Sequence, residues 1–240
     1  MKIAIIGYGK MGKKIEEIAV QRGHEVILKI NSQNVDEFQA DNFKQVDVAI
    51  EFTNPHAAFI NVMDMLDMGI PVVCGSTGWQ EKMPEARKKC LEKNTSFIWA
   101  SNFSIGVNLF WEINKRMAQI MAPHMDYSVA IEETHHIHKK DAPSGTAITT
   151  AEQILELNPS LNSWKLGDDV ELNQMPVIAH RVEDVPGTHI VKYRSAIDEI
   201  ALSHTAFSRD GFALGAILAA EYIQQKKGVY EMKDILGLNV

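Results

Sequence analysis

Lys2-Ile3-Ala4-Ile5-Ile6-Gly7-Tyr8-Gly9-Lys10-Met11-Gly12 is a short isoleucine-rich run that opens at once onto glycines spaced G-x-G-x-x-G. An apolar run of that length bounded by glycine reads as a buried strand. Beyond it, Ile15, Ile18 and Ala19 recur at helical spacing and stop at Arg22-Gly23, and Glu25 to Ile30 reads as a second strand. In a strand-turn-helix-strand unit the first glycine makes the tight turn. The second lets backbone approach a pyrophosphate, and the third lets helix and strand pack closely. Gly7, Tyr8, Gly9, Lys10, Met11 and Gly12 are therefore candidate dinucleotide contacts. The acidic residue that holds ribose hydroxyls in such units is expected roughly twenty residues further on. That position offers Lys29, Asn31 and Ser32, with no carboxylate before Asp36. Lysine and serine accept a 2′-phosphate that a carboxylate would repel, so the expected cofactor is NADPH ahead of NADH, with Lys29 as a contact.

The same rhythm continues outward. Val46 to Ile50, Pro71 to Cys74 and Ser96 to Trp99 read as strands, separated by helical patterns through Ile60 to Leu66 and Met83 to Leu91. Repeated apolar strands and helices make a Rossmann-type, doubly wound parallel α/β sheet, which binds ligands at the carboxyl ends of its strands. The tips Thr53, Gly75-Ser76-Thr77 and Ala100-Ser101-Asn102-Phe103 belong at that edge, and the last two groups join the cofactor candidates.

After Ser104 the pattern changes. Leu109, Phe110, Ile113, Met117, Ile120 and Met121 mark a long helix, and Tyr127 to Ile131 alternates as a half-buried strand. Three further strand-like runs follow a polar link at Asn158 to Glu171: Pro176 to Arg181, Thr188 to Arg194 and Glu199 to His204. They predict a second, α+β domain with an open mixed sheet. Phe212 to Gln225 is helical, and Tyr230 to Leu238 reads as a short helical tail.

Within that second part lies the densest chemistry of the chain, Glu133-Thr134-His135-His136-Ile137-His138-Lys139-Lys140-Asp141-Ala142-Pro143-Ser144-Gly145-Thr146. Ser144 can cap the helix that continues to Ile154. Titratable groups delivered to an electropositive helix start suit an anionic ligand that must also receive a proton. A metal reading of His135, His136 and His138 is disfavoured, because adjacent residues point apart on a strand and a lysine sits among them; the expectation is no metal.

The bulk numbers exclude several classes. The 240 residues are 45% hydrophobic and 23% charged, ordinary for a globular protein. A formal charge of −7 without a basic block argues against nucleic-acid binding. Two cysteines make no disulfide framework, no apolar run is long enough for a membrane span, and the chain opens on a strand. The expectation is a cytoplasmic protein with neither nucleic-acid nor membrane partner.

The stretch Glu133 to Lys139 followed by Asp141 to Ala147 resembles the signature of the dihydrodipicolinate reductase family. Lys10-Met11-Gly12, Phe52-Thr53, Gly75 to Thr77, Asn102 to Ser104 and Gly228 to Leu238 resemble further family segments. The glycine loop is one residue shorter than the family's common form, and Glu51 stands where aspartate is frequent. The resemblance implies NAD(P)H-dependent reduction of a cyclic dicarboxylate, 4-hydroxy-tetrahydrodipicolinate, in diaminopimelate and lysine biosynthesis. It implies His135 and Lys139 as catalytic residues, His136 as a substrate contact, and Gly145 and Thr146 as the carboxylate cradle. It also implies a nucleotide domain of residues 1–103 and 209–240 and a substrate-binding domain of residues 104–208. That second domain would build a homotetramer, with hinges near Ser104 and Ser208, domain closure, and Arg209 and Phe212 near the cofactor. Two competing readings are a related two-domain dehydrogenase acting on another small acid and a non-catalytic dinucleotide sensor.

Overall fold

Strand β1 (Lys2–Ile6) is buried from Ile3 onward because its apolar side chains meet helices on both faces of the sheet. In the computed structural model, which describes residues 1–238, it is followed by α1 (Lys10–Gln21) and β2 (Glu25–Ile30). Next come β3 (Val48–Glu51), α2 (Pro55–Asp67), β4 (Val72–Cys74), α3 (Met83–Glu92) and β5 (Ser96–Trp99). Asn54 starts α2 sharply: its side chain accepts from the N–H groups of His56 and Ala57, with Pro55 at the first helical position. Strand β4 begins one residue later than the sequence predicts, because Pro71 has no N–H for the ladder and contributes only its carbonyl, to Ala49.

The chain then builds a second unit, Gly106–Arg209. Its elements are α4 (Ile105–Met121), β6 (Ser128–His135), α5 (Gly145–Leu157), β7 (Ser163–Leu166), β8 (Gln174–Arg181), β9 (Gly187–Arg194) and β10 (Glu199–Ala206). The strands form one sheet in the order β10-β9-β6-β8-β7. It is mixed: β6 pairs parallel to β8 and antiparallel to β9. Residues of α4 and α5 such as Phe110, Ala118, Ala151 and Ile154 form a core with Ile131, Val177 and Val191.

From Asp210 the chain returns to the first unit through α6 (Asp210–Ile223), β11 (Gly228–Tyr230) and α7 (Met232–Ile235). The first sheet is six-stranded and parallel, in the order β11-β5-β4-β3-β1-β2. One face packs α2 and α3 through Val62, Leu66 and Ala86, the other α1 and α6 through Ile15, Ala216 and Ile217. That is the doubly wound arrangement the opening stretch predicts. Among the described residues no helix is long and apolar enough to cross a membrane.

Three elements depart from the sequence reading. The polar link holds β7, a half-exposed edge strand in which Trp164 alone packs on the core, so its apolar signal is weak. The tail begins with β11, three residues whose strand character comes from pairing with the distant β5. Strand β6 runs on to His135 rather than stopping at Ile131. Its buried face continues Val129, Ile131, Glu133, His135, so the start of the titratable stretch is strand and not loop.

Candidate active site

Two groups of residues carry chemistry, one in each unit. In the first, all the predicted tips follow carboxyl ends of parallel strands. Gly7 has φ +98°, and a Cβ there would lie 2.1 Å from the Phe52 carbonyl oxygen, so the turn admits only glycine. A Cβ on Gly12 would meet the Gly7 oxygen at 2.5 Å. A Cβ on Gly9, by contrast, would meet nothing within 4 Å beyond its own neighbours in the chain. Gly9 is the N-cap of α1, with no side-chain cap and no acidic residue in the first turn. An uncapped helix start facing open space fits a pyrophosphate. A cavity of about 620 Å³ adjoins it, lined by Gly7, Tyr8, Asn31, Ser32, Thr53 and Asn61 among others. These features fit a nicotinamide dinucleotide.

The remaining cofactor candidates fall into distinct settings. Lys29 ion-pairs with Glu16 at 3.0 Å, and the Tyr8 hydroxyl donates to the same carboxylate. The Glu16 carboxyl is held below its ordinary range, first by that tyrosine bond and then by Lys29. Lys10 is exposed at the start of α1, while Met11 packs against the core. Ser76 is a bridging residue: its hydroxyl accepts from Thr53 N–H, and its carbonyl takes both the Trp79 and Trp99 indole N–H groups. A Cβ on Gly75 would overlap the Phe52 ring, and Thr77 and Ser101 are exposed at the edge. Ala100 packs on the core, Asn102 accepts from Ser104 N–H, and Phe103 is buried against Phe52.

In the second unit the organising residue is one the sequence reading did not single out. Glu133 is fully buried on β6, in line with Val129 and Ile131. Its Oε1 faces both Arg181 Nη atoms at 3.2 and 3.3 Å. Its Oε2 accepts Ser144 N–H at 3.0 Å and lies 3.2 Å from His135 Nδ1. Burial pushes the carboxyl up, but the adjacent His135 ring and the hydrogen bonds from Ser144 outweigh it and hold its pKa at about 2. His189, opposite Glu133 on β9, closes the cluster: its Nε2 is 3.0 Å from Ser144 Oγ and its ring packs edge-on to His135 at 5.0 Å. Burial, then the neighbouring His135, lower His189 to about 4, so its ring is neutral at physiological pH.

Ser144 caps α5, its hydroxyl accepting from Ala147 N–H at 3.2 Å. The cap sets Gly145 and Thr146 as the first helical residues, with no acid in the first turn and open space beside Gly145. The Lys139 ammonium chelates Asp141 at 2.8 and 2.9 Å, and Arg181 fastens the same loop through the Asp141 carbonyl at 2.7 Å. His136 is lowered by partial burial, then by Arg209, with His138 and Lys139 adding to it, so its surroundings are cationic. The three neighbouring histidines do not converge. His136 faces His138 at 6.3 Å, whereas ligand atoms of Glu133, His135 and His189 lie within 4.8 Å of one another. That carboxylate already serves Arg181 and the Ser144 N–H. An imidazole, an ammonium and a helix start together can hold a dianion and hand it a proton.

Comparison with known proteins gives consistent matches. Residues 106–236 match the family model "Dihydrodipicolinate reductase, C-terminus", and residues 1–103 match "Dihydrodipicolinate reductase, N-terminus". A 4-hydroxy-tetrahydrodipicolinate reductase of Christiangramia forsetii is 49% identical over 99% of this chain and 98% of its own. One from Methanocaldococcus jannaschii is 37% identical, covering 80% of this chain and 72% of its own. The dipicolinate-bound dihydrodipicolinate reductase of Paenisporosarcina sp. has the same fold, with a TM-score of 0.78 at 23% identity over 96% of this chain and 97% of that one.

Proposed function

Since the chain belongs to the dihydrodipicolinate reductase family, we infer that the two groups of residues described above hold, respectively, its nucleotide and its cyclic dicarboxylate substrate. The protein is an oxidoreductase that reduces 4-hydroxy-tetrahydrodipicolinate to tetrahydrodipicolinate in diaminopimelate and lysine biosynthesis. It uses a nicotinamide dinucleotide.

Loss of the 4-hydroxyl as water leaves a carbon-carbon double bond conjugated to the ring imine. When bound, the reduced nicotinamide supplies the hydride that adds at C4. Negative charge then develops at C3, and a proton must arrive there. His135 is the immediate donor. Imidazole exchanges protons near neutrality, and this ring is held in place at the end of β6. Lys139 leaves Asp141 to balance the substrate's charge and to support that proton. The α5 start at Gly145 and Thr146 receives one carboxylate, and His136 contacts the substrate from the cationic side. The observation that carries this reading is the Ser144 link, which puts the proton-bearing imidazole and the anion-binding helix start on one carboxylate, Glu133.

The nucleotide is NADPH ahead of NADH: Lys29 near the end of β2, and Asn31 and Ser32 just after it, stand where a carboxylate would otherwise exclude a 2′-phosphate. Residues 1–103 and 209–240 serve the nucleotide, and residues 104–208 serve substrate and assembly. The sheet face bearing Glu132, Thr134, Ile190 and Lys192 is half-exposed and suits pairing between copies in a cytoplasmic homotetramer. Sedimentation equilibrium at four times the chain mass supports that assembly, and a monomer mass refutes it. For the chemistry, the test is steady-state nucleotide oxidation with freshly generated substrate. His135→Gln and Lys139→Ala are each expected to cut turnover by roughly 10²-fold or more, the contribution of general acid catalysis. Nucleotide affinity should stay unchanged. Undiminished turnover in both variants removes the assignment.

A further inference from the structure

A fully buried carboxylate in line with Val129 and Ile131 on β6 stands where a further apolar side chain would pack without desolvation cost. Its two oxygens are divided between tasks. Oε1 answers Arg181, which belongs to β8 and also grips the Asp141 carbonyl. Oε2 answers Ser144 N–H and faces His135 Nδ1. That nitrogen is sealed from solvent, and at 3.2 Å it lies in ion-pair range of Oε2 without the alignment of a finished hydrogen bond. At the ring's other edge stands Gly187, and a Cβ on it would lie 3.0 Å from His135 Nε2.

We propose that Glu133 is a positioning residue: it fixes the imidazole of His135 with its proton on Nδ1, so that Nε2 is the atom that exchanges the proton with substrate. Through Ser144 it also sets that ring's place relative to the α5 start. His189 stands close to the same carboxylate, its Nε2 3.8 Å from Oε2 and 3.0 Å from Ser144 Oγ. Ser144 therefore joins the cap of α5 and His189, through its hydroxyl, to the carboxylate that orients His135, through its N–H. A small displacement of Glu133 would move the proton donor and the anion cradle together. Orientation of a general acid by a buried carboxylate is an established device, and its loss leaves the ring in place with the proton on the wrong nitrogen. This inference rests on His135 being the proton donor.

The test combines nitrogen-15 NMR of histidine-labelled protein with turnover, the His135 signals being assigned by their absence in His135→Gln. In the wild type, the neutral ring is expected as the Nδ1–H tautomer; finding it as Nε2–H overturns the proposal without any variant of Glu133. Glu133→Gln is expected to populate both tautomers and to lower kcat by roughly 10²-fold, within the range of general acid catalysis. Its KM and nucleotide affinity should change little, and Glu133→Asp should recover part of kcat. If His135→Gln is inactive while Glu133→Gln keeps both the tautomer and kcat, the proposal fails and the donor assignment survives. If His135→Gln turns over normally, both fall together.

Discussion

Acidification should weaken the second unit through His189 before any carboxylate is reached. The ring's ordinary pKa of 6.5 falls to about 4 in the fold, through burial first and the charge of His135 second, against the pull of Glu133. Below 6.5 the unfolded chain binds a proton that the folded chain refuses until about 4, so stability falls as pH drops through that window. The drop from 6.5 to about 4, at about 1.36 kcal/mol for each tenfold in proton affinity, makes roughly 3 kcal/mol the ceiling of the loss. Glu133 acts in the same direction but lower down. Its folded value of about 2 against an ordinary 4.5 means its contribution is whole above 4.5 and lost only on the way to 2. Hydrogen exchange of the β6 and β9 amides, corrected for the intrinsic pH dependence of exchange, reads this unit by itself. His189→Gln removes the proton uptake, so the protection of wild type relative to the variant should decline by up to about 3 kcal/mol between about pH 7 and pH 4. Parallel curves for the two proteins, or an NMR titration of His189 near 6.5, would refute the reasoning.

Two further outcomes are expected. Gly187→Ala puts a methyl 3.0 Å from His135 Nε2, so kcat should fall at least tenfold while nucleotide affinity measured by fluorescence titration stays constant. Glu16→Gln frees Lys29 from its carboxylate partner and should raise the NADPH-over-NADH ratio of kcat/KM by up to about fivefold, the scale of a surface ion pair; an unchanged ratio would remove Lys29 from the nucleotide site.

The first sheet was legible because each of its early strands carries its own apolar run and ends on a recognisable turn; β2 and β5 lie where the sequence places them. Strands β7 and β11 were not, since an edge strand with one core contact and a three-residue strand draw their conformation from remote partners. In the second unit the predicted residues His135, His136, Lys139, Gly145 and Thr146 lie in one contiguous stretch, which is why reading along the chain finds them. Glu133 was visible in principle, since the alternation of Val129 and Ile131 continues through it to His135. His189 and Arg181 were not, because register alone puts His189 opposite Glu133 and Arg181 opposite His135.

Strand β11 gives the first sheet an outer edge drawn from residues that leave the ribosome after every other strand among the described residues. The whole of Gly106–Arg209 is synthesised between β5 and the segment that covers it. Until Gly228–Tyr230 emerges, β5 presents unpaired amides and carbonyls along one side, and the places of Ile217 and Met232 in the adjoining core stand unfilled. The inserted unit, whose strands pair only among themselves, has all its partners in hand earlier. A stalled or clipped tail therefore leaves the first unit without its edge strand and part of its core while the strands of the inserted unit keep all their partners.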